Sequence, residues 1–336
     1  MKILFIGGTG TISSAIVERL CALGQEVWLL NRGHRAAPEG AQVITADIRD
    51  ESAARQAIGD RTFDAVCEFV AYTPEHIQTD LRLFAGRTAQ YVFISSASAY
   101  QKPPRGDLFT ESTPLCNPYW EYSRNKQACE ELLMQAYLQS GFPVTIVRPS
   151  HTYGGGALPT ALHGEMGAYQ VLCRIREGKP VILPGDGATL WTVTHSSDFA
   201  KAFCGLLGNA HAIGEAYHIT SDERLTWNQI YDLIGQAVGR EVRKVHIPSD
   251  VLCALRPELA GPLLGDKSNC ALFDNGKIKR AVPGFVCATR FDQGVRASVA
   301  YIDAHPECQT PDPAFDGWCD RLAEAWTNMI ITLPKD

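Results

Sequence analysis

Lys2-Ile3-Leu4-Phe5-Ile6-Gly7-Gly8-Thr9-Gly10-Thr11-Ile12-Ser13 is the stretch that decides the fold. The nearly unbroken apolar run over residues 2–6 reads as a parallel strand buried on both faces. The glycines follow at once, and Ile16, Val17, Leu20 and Leu23 then recur at helical spacing up to Gly24. Strand, glycine turn and helix, in that order, make a glycine pattern a dinucleotide site. Gly7 permits the tight turn, Gly10 lets the backbone approach a pyrophosphate, and the helix N-terminus faces the anion. Thr9, Thr11 and Ile12 complete this candidate cofactor turn. The spacing is Gly-x-x-Gly-x-x-Ser, so Ser13 replaces a third glycine. Serine is small enough for close helix–strand packing.

Working outward, residues 26–30, 43–46, 63–70 and 91–94 read as further strands, with helices over 52–58 and 74–84 between them. This alternation through residue 150 predicts an α/β fold of Rossmann type, a doubly wound parallel sheet. Residues 1–150 form the dinucleotide-binding domain, and 191–220 return to it. A smaller mixed α/β substrate lobe takes 151–190 and 221–336. Residues 160–164 read as a mobile flap over the substrate, and 102–117, rich in Pro, Gly and charge, as a surface loop.

The second strand ends in Asn31-Arg32-Gly33-His34-Arg35. An NAD site usually offers an acidic residue here to hold the ribose 2′-hydroxyl. Asn31, Arg32 and Arg35 suit a 2′-phosphate better, which favours NADP over NAD. Asp47 and Ile48, after the third strand, are placed to bracket an adenine. His151 and His163 are cleft candidates by position.

Tyr122-Ser123-Arg124-Asn125-Lys126 opens a helical pattern over residues 120–139, entered through Asn117-Pro118 and closed by Ser140-Gly141. Positions i and i+4 share a helical face, so the Tyr122 phenol and the Lys126 ammonium emerge side by side. A fixed positive charge beside a phenol is expected to lower its pKa from about 10 toward neutrality. Such a tyrosine exchanges a proton with an alcohol or carbonyl near pH 7.

Composition sets the class. The chain has 336 residues, 45% hydrophobic and 20% charged, with a net charge of −6. That is a soluble globular composition with no electrostatic footprint for nucleic acid or an anionic membrane. No apolar run is long enough to span a bilayer, and residues 3–6 are too short for a signal-peptide core. Eleven cysteines are scattered singly, without metal-ligand spacing, and are expected to be reduced. A cytoplasmic enzyme without a metal, acting on a small molecule, is the expectation.

Gly-x-x-Gly at the N-terminus, Ser95-Ser96-Ala97-Ser98-Ala99-Tyr100 after the fifth strand, and Tyr122-x-x-x-Lys126 together resemble an extended short-chain dehydrogenase/reductase. Within that superfamily the chain is similar to the NAD-dependent epimerase/dehydratase group. Val144 through Pro149 followed by Tyr153-Gly154, and Gly185-Asp186-Gly187 followed by His195 and Asp198, are similar to its later segments. The likeness covers about residues 1–240. It implies Ser96, Tyr122 and Lys126 as the catalytic trio. Ser96 is chosen over Ser95 and Ser98 because it lies four residues before Tyr100. The cofactor set extends to Phe69, Val70, Ala71, Pro149 and His151, with Tyr122 and Lys126 facing the nicotinamide. Ser96, Ser98, His151 and Trp191 are the substrate candidates.

The resemblance also implies a homodimer paired through the helices over 74–84 and 120–139, where Leu132, Leu133, Ala136 and Tyr137 offer apolar positions. Two departures bear on the substrate. The Asp-Glu pair that sugar dehydratases of the group carry after the serine is replaced by Ala97-Ser98, which disfavours elimination of water. An arginine for a substrate diphosphate is replaced by Trp191, which can stack but not neutralise. The implied function is an NAD(P)-dependent oxidoreductase or epimerase of a secondary alcohol or ketone, on a sugar or sugar nucleotide. The alternatives are an NADPH-dependent ketone or aldehyde reductase of a non-nucleotide substrate and a non-catalytic NADP(H)- or RNA-binding protein of the same fold.

Overall fold

In a computed structural model that describes residues 1–332, six strands of the N-terminal half and one later strand build a seven-stranded sheet. Its first six strands in chain order are β1 (Lys2–Ile6), β2 (Glu26–Asn31), β3 (Gln42–Thr45), β4 (Ala65–Glu68), β5 (Tyr91–Ile94) and β6 (Val144–Pro149). The seventh, Ala216–Ile219, pairs parallel with β6, so the spatial order is Ala216–Ile219, β6, β5, β4, β1, β2, β3. Every pairing in the sheet is parallel. Helices α1 (Thr11–Ala22), α2 (Glu51–Ile58), α3 (Pro74–Phe84) and α4 (Glu121–Ser140) cross over between them.

The unbroken apolar run of β1 is explained by the two cores it serves. Ile3 and Phe5 face one side, with Ile16, Val17 and Leu20 of α1 and Phe199 and Phe203 of helix Ser196–Leu206. Leu4 and Ile6 face the other, with Ile77, Leu83 and Leu133 of α3 and α4. All four strand residues are fully buried. A third core, containing Trp191, Trp227, Tyr231, Leu263 and Phe291, lies in the C-terminal half. There strand Lys244–Ile247 pairs with Val181–Pro184, apart from the main sheet. Helix Trp227–Ala237 starts from a capping box in which Thr226 and Gln229 satisfy each other's backbone N–H groups.

One loop expectation needs correction. Thr160, Ala161 and Leu162 are buried, with Leu162 packed near Val171, Ile175 and Tyr231, so this segment is core and not a flap. Its alanine and leucine have no periodicity to reveal that role, because the backbone there is irregular. The stretch 102–117 is a surface loop as expected, exposed at Pro103, residues 105–108, Ser112, Pro114 and Cys116, but it is anchored at three points. Lys102, Phe109 and Asn117 are each under 5% exposed, and Phe109 bridges to Phe273. Leu133 is wholly enclosed in its own core, which removes it from the apolar surface expected of α4, whereas Leu138 stands 78% exposed. Among the described residues no helix is long and apolar enough to cross a membrane.

Candidate active site

The carboxyl ends of the sheet strands open into one cleft of about 870 Å³. Gly7 turns the chain out of β1 at φ +85°, and a Cβ there would lie 2.4 Å from Val70 Cγ1. Only glycine fits that turn. Ser13 does more than pack closely. Its hydroxyl donates to the Gly7 carbonyl at 3.0 Å and accepts from the Gly10 N–H at 2.9 Å, tying the turn to the first turn of α1. Gly7, Thr9, Gly10, Thr11 and Ile12 all line the cleft.

Beyond β2, Asn31 uses its amide oxygen to accept from the Gly33 N–H at 2.9 Å. Its amide NH₂ is thereby left as the group it can offer a ligand. Arg35 donates to the Thr9 carbonyl at 3.3 Å, and Arg32 is exposed on the rim. Asp47 accepts from the Arg49 N–H at 3.0 Å and, with Ile48, forms the adjoining wall. Phe69 and Val70 line the cleft, as do Pro149 and His151. Ala71 does not reach the lining and contributes its carbonyl instead.

That carbonyl fixes Lys126. The Nζ of Lys126 donates to the Ala71 and Ile94 carbonyls, each at 2.7 Å, and sits 5.8 Å from the centre of the Tyr122 ring. Glu68, fully buried at the end of β4, accepts from the Ala71 N–H at 2.6 Å and from Val70 N–H, so it clamps the loop from behind. The sequence offered no sign of this role, since an acidic residue ending a strand has no motif. Tyr122 lies between the rings of Trp120 and Tyr72, at 5.0 and 6.3 Å.

Burial pushes the Tyr122 phenol up to about 12, with the nearby Ser96 hydroxyl opposing the shift. The expected drop toward neutrality is therefore reversed. Desolvation outweighs a lysine whose ammonium is directed at two carbonyls, and the phenol is neutral at pH 7. Burial also pulls Lys126 down to about 8.

Ser96 and Ser98 are 2.8 Å apart, and Ser123 of α4 donates to Ser98 at 2.8 Å, which makes a chain of three hydroxyls leading into the cleft. The Asn117 amide holds the Ser98 carbonyl at 2.7 Å. His151 presents its edge to Trp191 and Trp227, and its Nδ1 is buried without a hydrogen-bond partner. Burial, then the charges of Lys267 and His163, hold it well below its ordinary pKa, so it is neutral. Trp191 is 1% exposed and packs on Trp227 at 5.1 Å, and both indoles donate to the Lys267 carbonyl. Its place is the cleft wall. The cleft also takes in Lys102, Trp120, Asp266 and Lys267, which sequence reasoning did not single out.

These residues fit a dinucleotide. The glycine turn exposes backbone N–H groups at a helix N-terminus, and the far wall supplies a phenol, an ammonium and hydroxyls. The NAD dependent epimerase/dehydratase family matches the chain over residues 3–220. The chain belongs to that family. It is an enzyme of the extended short-chain dehydrogenase/reductase type and uses a nicotinamide cofactor. It is 28% identical over 287 residues to a 2′-dehydrokanamycin reductase of Streptomyces kanamyceticus, covering 85% of this chain and 80% of that one. A UDP-glucose 4-epimerase of Lactobacillus helveticus is 29% identical over 47% of this chain and 53% of its own length. In three dimensions the chain is similar to the epimerase Mth375 of Methanothermobacter thermautotrophicus. The TM-score is 0.76 at 17% identity, over 91% of this chain and 93% of that one.

Proposed function

We propose that this family member transfers hydride between NADP and a secondary alcohol or ketone of a sugar, with Ser96, Tyr122 and Lys126 as its catalytic residues. The observation that carries the reading is the convergence of the Gly7–Ile12 turn and this trio on one cleft. Residues 1–150 with 191–220 serve the cofactor, and 151–190 with 221–336 serve the substrate. A nicotinamide bound against Val70 and Lys126 supplies or accepts the hydride.

The remaining work falls to side chains. In the reductive direction Ser96 orients the ketone oxygen, and the neutral Tyr122 phenol gives it a proton. The Lys126 ammonium stabilises the phenolate left behind. The hydroxyls of Ser98 and Ser123 hold Ser96 in place. Epimerisation uses the same groups twice, once in each direction, with the cofactor retained between the two steps. The absence of a carboxylate at Ala97 and Ser98 argues against elimination.

The Lys126 value gives a pH dependence. Its ammonium is present below about 8 and is lost as the pH rises through that value. Tyr122, near 12, keeps its proton throughout this range. The reductive kcat/KM is therefore expected to be level from pH 6.5 to 7.5 and to fall above about 8 with a limiting slope of −1. A level profile to pH 10 would exclude the lysine from the reacting set.

Cofactor choice rests on the turn after β2. Asn31 offers a donor, because its oxygen is taken by Gly33, and a ribose hydroxyl seeking a carboxylate finds none on that strand end. Arg32 can add a charge-assisted bond of about 1.5–3 kcal/mol to a 2′-phosphate, roughly a tenfold to hundredfold preference for NADP. Calorimetric titration with NADP and NAD is expected to show this preference and its loss in Arg32→Ala. Equal affinities unaffected by Arg32→Ala would refute the NADP assignment.

A further inference from the structure

Lys102 is 4% exposed, lines the cleft, and is carried by the stretch that Phe109 and Asn117 anchor. Among the described residues its Nζ makes no hydrogen bond or ion pair. Its contact is the Phe109 ring, 4.6 Å from the ring centre. Burying an ammonium without a counter-charge is costly, and the ring's electrostatic attraction offsets only part of that cost. Asp266, a carboxylate that lines the same cleft, is engaged by Lys267 at 3.0 Å. Lys102, Lys267 and Asp266 all line the cleft, so two lysines share that lining with one carboxylate. The cofactor's phosphates do not supply the missing charge, because their cradle is the Gly7–Ile12 turn and the rim at Arg32 and Arg35. Lys102, Asp266 and Tyr122 line the same cleft, so the lysine and the reacting phenol border one bound substrate.

We propose that Lys102 recognises an anionic group of the substrate, a carboxylate or phosphate. The inference rests on the reading of this cleft as a sugar oxidoreductase site and narrows its substrates to acidic sugars. A neutral sugar leaves Lys102 unpaired, and an amino sugar brings a second positive charge to it.

Ligand-observed NMR on the NADP-loaded protein tests this with D-galacturonate, galactose 1-phosphate, D-galactose and D-galactosamine. The carboxylate and phosphate arms separate the two sources of the anion. At least one of the acidic sugars is expected to bind roughly tenfold to a hundredfold more tightly than galactose, the margin of one charge-assisted bond. Galactosamine is expected to bind more weakly than galactose. Lys102→Met should remove the acidic margin and leave galactose unchanged, while Lys102→Arg should keep it. If neither acidic sugar exceeds galactose on the wild type, or if Lys102→Met weakens galactose by the same factor, the proposal is wrong. NADP affinity measured on the same samples keeps the two readings apart: its absence speaks against the proposed NADP-dependent reading, and its presence without an anion margin speaks against Lys102 alone.

Discussion

Tyr122→Phe lowers kcat by about 10²–10⁴-fold while cofactor affinity stays within about twofold of wild type. The substitution removes one oxygen. The ring keeps its place between Trp120 and Tyr72, and Lys126 keeps both of its carbonyl partners. What is lost is the proton carrier, so the defect belongs in kcat. Lys126→Met contrasts with it. Removing the ammonium frees the Ala71 and Ile94 carbonyls and the adjoining cofactor wall, so cofactor affinity falls together with kcat. A Tyr122→Phe enzyme within a few-fold of wild type would mean that another group carries the proton.

Glu130→Leu destabilises the protein by about 3–5 kcal/mol, the cost of leaving a buried charge without its partner. Glu130 lies on α4, the helix that carries Tyr122 and Lys126, and is 3% exposed. Its two oxygens accept from Arg148 at 2.6, 3.0 and 3.2 Å, which joins α4 to the end of β6. The remaining guanidinium nitrogen holds the Tyr100 hydroxyl and the Glu111 carbonyl, each at 3.1 Å. Without Glu130 the guanidinium keeps those dipoles and loses its counter-charge. The double variant Glu130→Leu with Arg148→Met removes both charges and leaves only the Tyr100 and Glu111 acceptors short of a donor. It is therefore expected to lose less than the single variant. Urea denaturation midpoints read the difference. A single variant as stable as wild type, or a double variant worse than the single, would show that the pair does not anchor the helix.

The sheet was legible because its signals are local. β1 had to be apolar on both faces, and its run of four buried residues says so without any knowledge of the helices that cover it. The Gly7 turn and the Tyr122–Lys126 spacing are likewise set by backbone geometry within a few residues. The electrostatics of the site were not legible. Spacing places Tyr122 and Lys126 on one helical face, but their pKa values depend on burial and on carbonyls 55 and 32 residues away in the chain. Lys102 was missed for the same reason, since its setting comes from the wall at Asp266. Glu68 was missed although its partners, the Val70 and Ala71 N–H groups, are local, because an acidic residue ending a strand has no motif. Ala161 and Leu162 show the opposite error, in which irregular backbone was read as exposed although it carries core residues. Ser13 was read for its size, when its hydroxyl ties the turn together.

The most direct test uses NADPH carrying deuterium at the transferable position of the nicotinamide. The protein is incubated with it and a panel of keto and hydroxy sugars, acidic ones included, and the products are read by mass spectrometry. Wild type is expected to place one deuterium on a carbon of the sugar product, and Tyr122→Phe to do so at least a hundredfold more slowly. Net reduction of a keto sugar by the wild type with no label on carbon would contradict hydride transfer in this cleft.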